Sequence, residues 1–332
     1  MAIFPTRYSL LSATALNNYL RQCYALSDTS CRLLIHNVSD TYLLESSGTR
    51  YIFKIYRDAH RKMEEINGEV ELLNILHAGG ASVSRPLADK EGRYLQPFDA
   101  AEGIRYGVLF TYAEGEVYTA MSDQQLLEVG RGMARIHHIT AGLQLTHHRQ
   151  PLDMEALVDA PLRVIKPAFA NGLEAEYEYL HDTATRVKQQ LLAFDLPSFS
   201  HGYCHYDFLP KNFHFDSAGS VTFFDFDFAG SGYLINDLAS FYVHFFLDVL
   251  HHKMTQPEAD RQFAVFIQGY RAIRPLSEAE LASIPHWGYL FWLFYFRFHY
   301  ENFEDWSNFF FHPRFIQARV GWMKTWEEWY LK

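Results

Sequence analysis

An α+β chain is what the sequence predicts, with an antiparallel sheet in its first third and helices through most of the rest. Three observations carry that prediction. Strand-type runs crowd residues 32–56, an apolar period of 3.6 dominates from Gln124 onward, and one compact β-type insertion interrupts the helices near 200–228. A length of 332 residues allows two domains and a large core. The division is placed at 1–112, a small sheet lobe, and 113–332, a larger and mainly helical lobe.

Residues 1–30 read as a helical lead-in, with Ser12 and Thr14 as candidate caps ahead of Leu16, Tyr19 and Leu20. The strand runs 32–45 and 49–56 are joined by Ser46-Ser47-Gly48, a turn sequence. Polar Asn37, Ser39 and Asp40 break the first run into two strands and a turn, so an antiparallel meander is expected. In 64–76, Ile66, Val70, Leu73 and Leu76 form one helical stripe that Gly79-Gly80 should end. Pro86, a turn at Gly92 and the run 105–112 predict further strands, and Ala113-Glu114-Gly115 is the candidate hinge. Beyond it, Leu126, Val129, Met133 and Ile136 share a helical face.

Composition narrows the partners. Lys+Arg 29 against Asp+Glu 39 gives a net charge of −10, a field that repels polyanions, so no nucleic acid partner is expected. Cys23, Cys31 and Cys204 form neither an even set nor a CxxC pair, which points to a reducing compartment. The opening residues lack the pattern of a secretory leader. The most apolar run, 289–296, falls short of the ~20 residues that cross a bilayer. A soluble, cytoplasmic protein without a membrane partner is the expectation. Adjacent histidine pairs occur, but no HExxH or HxxEH accompanies them, so no zinc site is predicted.

The chemistry concentrates in 200–240. His205-Tyr206-Asp207 followed by Asn212 fits the H-x-D-x-x-x-x-N spacing of kinase catalytic loops. The apolar run 221–224 then ends in Asp225-Phe226-Asp227. Such a loop carboxylate can meet a substrate hydroxyl, while an amide oxygen and a second carboxylate supply hard ligands for magnesium on nucleotide phosphates. Asp207 and Asp225 are 18 residues apart, enough for one strand to run out and another to return. Asp227 is either a second metal ligand or a turn cap. His205 is read as a structural buttress of the loop.

These residues resemble the aminoglycoside phosphotransferase and choline kinase family, which includes homoserine-kinase-like and stress-response kinases. His205, Asp207, Pro210 and Asn212 match its HGDxHxxN segment, with Tyr206 in place of the usual glycine. The stretch FFDFDFAGSGYLINDLA resembles its metal-binding segment, with Asp225 as ligand and Asp237 as a structural continuation. Lys54 resembles the strand lysine that holds the α- and β-phosphates, against the simpler reading of a lysine on an exposed strand face. Glu69 resembles its helical partner, in competition with Glu65 and Glu71. Asn37 and Ser39 lie where the phosphate-covering loop is expected, without its glycines, and Thr111, Tyr112 and Ala113 where adenine meets the hinge. The resemblance covers about 33–245.

It implies a two-lobed protein-kinase-like fold binding ATP and Mg2+ in the cleft. Asp207 is the implied base, and the implied acceptor is a hydroxyl of a small amine-bearing molecule, whether amino-alcohol, homoserine-like or aminoglycoside-like. The alternatives are a protein serine/threonine kinase or a nucleotide-binding pseudokinase. Most rings of 289–306 are expected in the core, yet Glu301, Glu304 and Asp305 beside them are the candidates for holding a cationic amine.

Overall fold

The computed structural model of the chain describes residues 4–6, 8–170, 172–303 and 312–332. Two compact units divide it. The first comprises Met1–Gly115, Leu145–Arg149 and Thr222–Asp225; the second comprises Glu116–Gln144, Gln150–Val221 and Phe226–Lys332.

The first unit starts with helix α1 (Ala13–Cys23), where Ser12 Oγ accepts from the Ala15 N–H and so satisfies one orphan donor of the first turn. Strands β1 (Thr29–His36), β2 (Ser39–Ser46) and β3 (Thr49–Tyr56) form the expected meander. Helix α2 (Met63–Ala78) follows, then β4 (Pro86–Leu87), β5 (Leu95–Ala100) and β6 (Gly103–Thr111). The sheet runs β1-β2-β3-β6-β4, with β5 also on β6 and every pairing antiparallel. Leu16 and Leu20 from α1 pack on Tyr42, Leu44, Phe53, Ile55 and Leu109 from the sheet, which fixes one face as core.

Two distant segments dock onto this unit. Thr146 and His147 donate their backbone N–H groups to the Glu71 carboxylate, each at 2.9 Å, and Arg149 Nη1 donates to the Glu65 carbonyl at 2.9 Å. The approach explains a glycine inside α2: a Cβ on Gly68 would lie 2.6 Å from the His148 carbonyl oxygen. Residues 222–225 attach by a parallel bridge between Val83 and Phe223, with Phe223 N–H on Ser82 O at 3.0 Å and Ser84 N–H on Phe223 O at 2.8 Å.

The second unit opens with α3 (Asp123–Thr140), started by a reciprocal cap between Ser122 and Gln125. After β7 (Pro151–Leu152), a π-helical turn at Glu155–Asp159 leads into α4 (Ala160–Ile165) and α5 (Glu174–Leu192). Strands β8 (His201–Cys204), β9 (Phe213–Phe215), β10 (Val221–Phe223, of which only Val221 belongs to this unit) and β11 (Gly230–Tyr233) then precede α6 (Ile235–Leu250), α7 (Gln256–Arg271), α8 (Glu278–Asn302) and α9 (Pro313–Tyr330). The ribbon β9–β10 is the predicted return, its turn closed by Asp216 N–H on Ser220 O at 3.0 Å. The β-type insertion is larger than expected. β11 lies between β8, antiparallel, and β7, parallel, because Gly230 and Gly232 let its backbone approach Gln150 and Leu152 closely. Helix α8 buries Trp287, Tyr289, Phe291, Trp292, Phe294 and Phe296, so these rings are core, as expected. Among the described residues, no helix is long and apolar enough to cross a membrane.

Candidate active site

In the second unit the loop after β8 carries Asp207, which is 2 % exposed. Its position starts from Asp237, a fully buried carboxylate in the first turn of α6. Asp237 Oδ2 accepts from the His205 N–H at 2.8 Å and from His137 Nε2 at 2.9 Å, and Oδ1 accepts from the Tyr206 N–H at 2.7 Å. His137 Nδ1 is left to Tyr270 Oη at 2.9 Å. The carboxylate thereby holds two consecutive amides of the loop.

Between those amides and Asp207 the chain must turn sharply. Tyr206 has φ +67°, the left-handed region that glycine enters at least cost, which gives a physical reason for the glycine of the resembling motif. Here a tyrosine takes the conformation, held by Asp237 and by ring contacts to Phe294 at 4.7 Å and Phe291 at 5.9 Å. Burial pushes the Tyr206 phenol well above its ordinary pKa, and its Oη has no hydrogen-bond partner among the described residues. His205 Nδ1 accepts from the Asp207 N–H at 3.3 Å while its ring lies 4.4 Å from Phe226, a buttressing position.

Three side chains converge on the Asp207 carboxylate. Asn212, set by the tight turn Pro210–Asn212, donates from Nδ2 to Oδ2 at 2.8 Å and to the Asp207 carbonyl at 2.8 Å. Lys211 Nζ lies 2.8 Å from Oδ2, and Tyr295 Oη donates to Oδ1 at 2.6 Å. Lys211 stands inside the motif but was not singled out there, and nothing in the sequence marks Tyr295, 88 residues away on α8. Asp227 is buried in the short turn Phe226–Phe228.

In the first unit Lys54 is 7 % exposed, which rules out the exposed-face alternative. Its Nζ donates to Asp225 Oδ1 at 2.8 Å across 171 residues and lies 5.0 Å from the Tyr56 ring centroid. The docking of 222–225 on 82–84 makes that contact. Asp225 itself has φ +62°, a costly backbone state for an aspartate, while its side chain stays half-exposed. Glu69 is buried on α2, with Arg149 Nη1 3.9 Å from Oε2. Arg149 has no motif and was not anticipated.

Asn37 and Ser39 sit at the β1–β2 turn, where Asn37 Oδ1 accepts from the Val38 N–H at 2.9 Å and Asn37 N–H donates to Ser39 O at 3.1 Å. Thr111 has its N–H on Arg85 O at 3.0 Å and its carbonyl bonded by Ser84 Oγ at 2.5 Å, so its backbone serves the sheet. Tyr112 lies under Arg50, 4.1 Å from the ring centroid, and Ala113 is buried. Glu301 pairs with Arg297 one turn earlier at 3.0 Å and is exposed; Glu304 and Asp305 lie outside the described residues.

An antiparallel sheet unit carrying a buried lysine on a strand, with a helical unit carrying an HxDxxxxN loop, defines a kinase-like protein. The chain belongs to the phosphotransferase enzyme family, which it matches over residues 30–279. It is 32% identical over 283 residues to an uncharacterized protein of Synechocystis, covering 85% of this chain and 76% of the relative. It is 25% identical to the homoserine kinase of Phenylobacterium zucineum, covering 74% of this chain and 72% of that one. An amicoumacin kinase solved with AMP-PNP, Ca2+ and Ami superimposes with a TM-score of 0.76 at 20% identity, covering 96% and 94% of the two chains. The chain is a phosphotransferase, the enzyme class its sequence predicts.

Proposed function

We propose that the chain transfers the γ-phosphoryl group of Mg-ATP to a hydroxyl of a small amine-bearing acceptor of amino-alcohol, homoserine-like or aminoglycoside-like type. The observation that carries this reading is the Asn212 amide held 2.8 Å from the Asp207 carboxylate. Because Nδ2 is committed to Asp207, the amide oxygen is the atom Asn212 offers to a cation. Together with the half-exposed Asp225 it would supply the all-oxygen donors that magnesium prefers. Magnesium so held would supply charge neutralisation for the nucleotide phosphates. Whether Asp227 adds a further oxygen is part of the same proposal.

Asp207 receives the acceptor hydroxyl. As the acceptor oxygen forms its bond to phosphorus and the bond from phosphorus to the ADP oxygen breaks, the hydroxyl proton passes to the Asp207 carboxylate. Tyr295 and Asn212 fix the direction of that carboxylate. Lys54 holds the α- and β-phosphates, while Glu69 of α2 and Arg149 of the 145–149 segment form a buried charge pair in the same unit; Asn37, Ser39 and the backbone of 112–113 complete the nucleotide contacts. Positioning and charge neutralisation then supply the catalysis, and no phosphoenzyme is needed.

The test is ADP release with Mg-ATP over a panel of homoserine, amino-alcohols, aminoglycosides and a generic protein substrate, with Asp207→Asn as control. Turnover on a small acceptor that the substitution abolishes supports the proposal. Turnover that survives Asp207→Asn unchanged refutes the base, and transfer only to protein refutes the acceptor class.

A further inference from the structure

Resting on that reading, the second unit says more about the acceptor. A cavity of about 210 Å3 adjoins Asp207, and two of the three side chains that grip its carboxylate, Lys211 and Tyr295, are part of the cavity wall. The volume is below the ~300–1,000 Å3 typical of sites for drug-sized ligands, so it suits a small metabolite. The wall also carries Arg319 of α9 and His299 of α8 among aromatic and aliphatic side chains.

Arg319 is an unusual resident. Its guanidinium carbon lies 4.0 Å from the Trp322 ring centroid and 4.9 Å from that of Phe315. Those rings stabilise the charge but accept none of the N–H donors. Among the described residues, no carboxylate or carbonyl accepts from them. A planar, forked donor set without an acceptor among the described residues, lining a cavity walled mostly by aromatic and aliphatic side chains, is complementary to a carboxylate. Apolar walls strengthen such an attraction by lowering the local dielectric response.

The field in the cavity has the same sign. Burial, then the charges of Arg319 and Lys211, push His299 down to about 3, so a cation is already disfavoured there. Among the described residues, no acidic side chain lines the cavity. The described carboxylate expected to hold an amine, Glu301, is not among its walls and pairs with Arg297.

We propose that Arg319 anchors a carboxylate of the acceptor in this cavity, so that the preferred acceptors are small hydroxy-acids, with or without an amine. Of the three acceptor types above, this selects the homoserine-like one.

Three compounds with matched skeletons separate the possibilities: homoserine, 4-hydroxybutanoate, which lacks the amine, and 3-aminopropan-1-ol, which lacks the carboxylate. Binding to the full chain is measured calorimetrically without nucleotide, and phosphoryl transfer separately. The two carboxylates should bind at least tenfold more tightly than 3-aminopropan-1-ol. Arg319→Gln should weaken them about ten- to a hundredfold, and Arg319→Lys less. Equal or tighter binding of 3-aminopropan-1-ol, no binding of either carboxylate at millimolar concentration, or carboxylate binding unchanged in a folded Arg319→Gln variant overturns the inference. If Arg319→Gln does not fold, the comparison of compounds on the native chain decides alone. Carboxylate binding without any transfer would leave this inference standing and sink the kinase reading; efficient transfer to 3-aminopropan-1-ol alone would do the reverse.

Discussion

Replacing Asp237 by asparagine tests how the catalytic loop is held. The native carboxylate is fully buried and accepts three hydrogen bonds, from His205 N–H, Tyr206 N–H and His137 Nε2. Asparagine fits the same space but offers one oxygen, and turns an NH2 group toward at least one of those donors. Hydrogen bonds to a charged acceptor contribute about 1.5–3 kcal/mol and those to a neutral one about 0.5–1.5, so two surviving bonds lose about 1 kcal/mol each. A buried donor left facing a donor costs a further ~1–3 kcal/mol. The expected loss is therefore about 3–5 kcal/mol, within the ~5–15 of a typical protein, so the variant should fold at room temperature. Function should suffer as well, because the bond from the Tyr206 amide to Asp237 helps to hold that residue at positive φ beside Asp207. Urea unfolding gives the stability change, and single-turnover transfer gives the rate. A loss under ~0.5 kcal/mol, the level of a surface substitution, or an unchanged rate would refute the reasoning.

Tyr206→Phe removes a buried hydroxyl with no partner among the described residues and should raise stability by about 1 kcal/mol, read as an upward shift of the melting temperature. Gly68→Ala sets propensity against packing: in an open helix it would gain ~1 kcal/mol, but here the new Cβ meets His148 O at 2.6 Å and the Arg149 side chain at 2.9 Å, so a net loss of about 1–3 kcal/mol is expected, with faster amide exchange at 146–147. Asp89 bears on acid stability. Burial pushes its carboxyl up, but the N–H groups of Arg93 and Glu91, the Gln96 amide and the Arg93 guanidinium outweigh it and hold the value at about 2, below the ordinary 3.8. With the folded value depressed, the stabilisation is complete above 3.8 and disappears as pH falls through 2. The stability gap between the native chain and Asp89→Asn should accordingly shrink between about pH 5 and pH 2 in acid titrations followed by circular dichroism.

The elements most legible in the sequence were those set by local pattern. Ile66, Val70, Leu73 and Leu76 announced α2, and Ser46-Ser47-Gly48 announced the β2–β3 turn, because period and turn chemistry act over a few residues. Asp207 and Asn212 were legible for the same reason, their contact spanning five residues. What stayed hidden depends on distant pairing. Two glycines and the dipeptide Pro151-Leu152 give no sign that β11 joins β7, and the Lys54–Asp225 bond spans 171 residues. Tyr206 concealed its backbone state, since a tyrosine carries none of the glycine signal for positive φ. The acidic residues of 301–305 drew attention as charge beside aromatics, whereas the charges on the cavity wall are Lys211 and Arg319, the latter hidden among the tryptophans of an ordinary amphipathic helix.

Titration of Mg-ATP into the native chain and into Lys54→Met, Asp225→Asn and Asp207→Asn tests most directly whether these residues serve one nucleotide. Tight binding by the native chain and by Asp207→Asn, with at least tenfold weaker binding by the other two, is the predicted pattern, about 1.4 kcal/mol or more for each lost contact. Equal affinity in all four proteins would contradict the account.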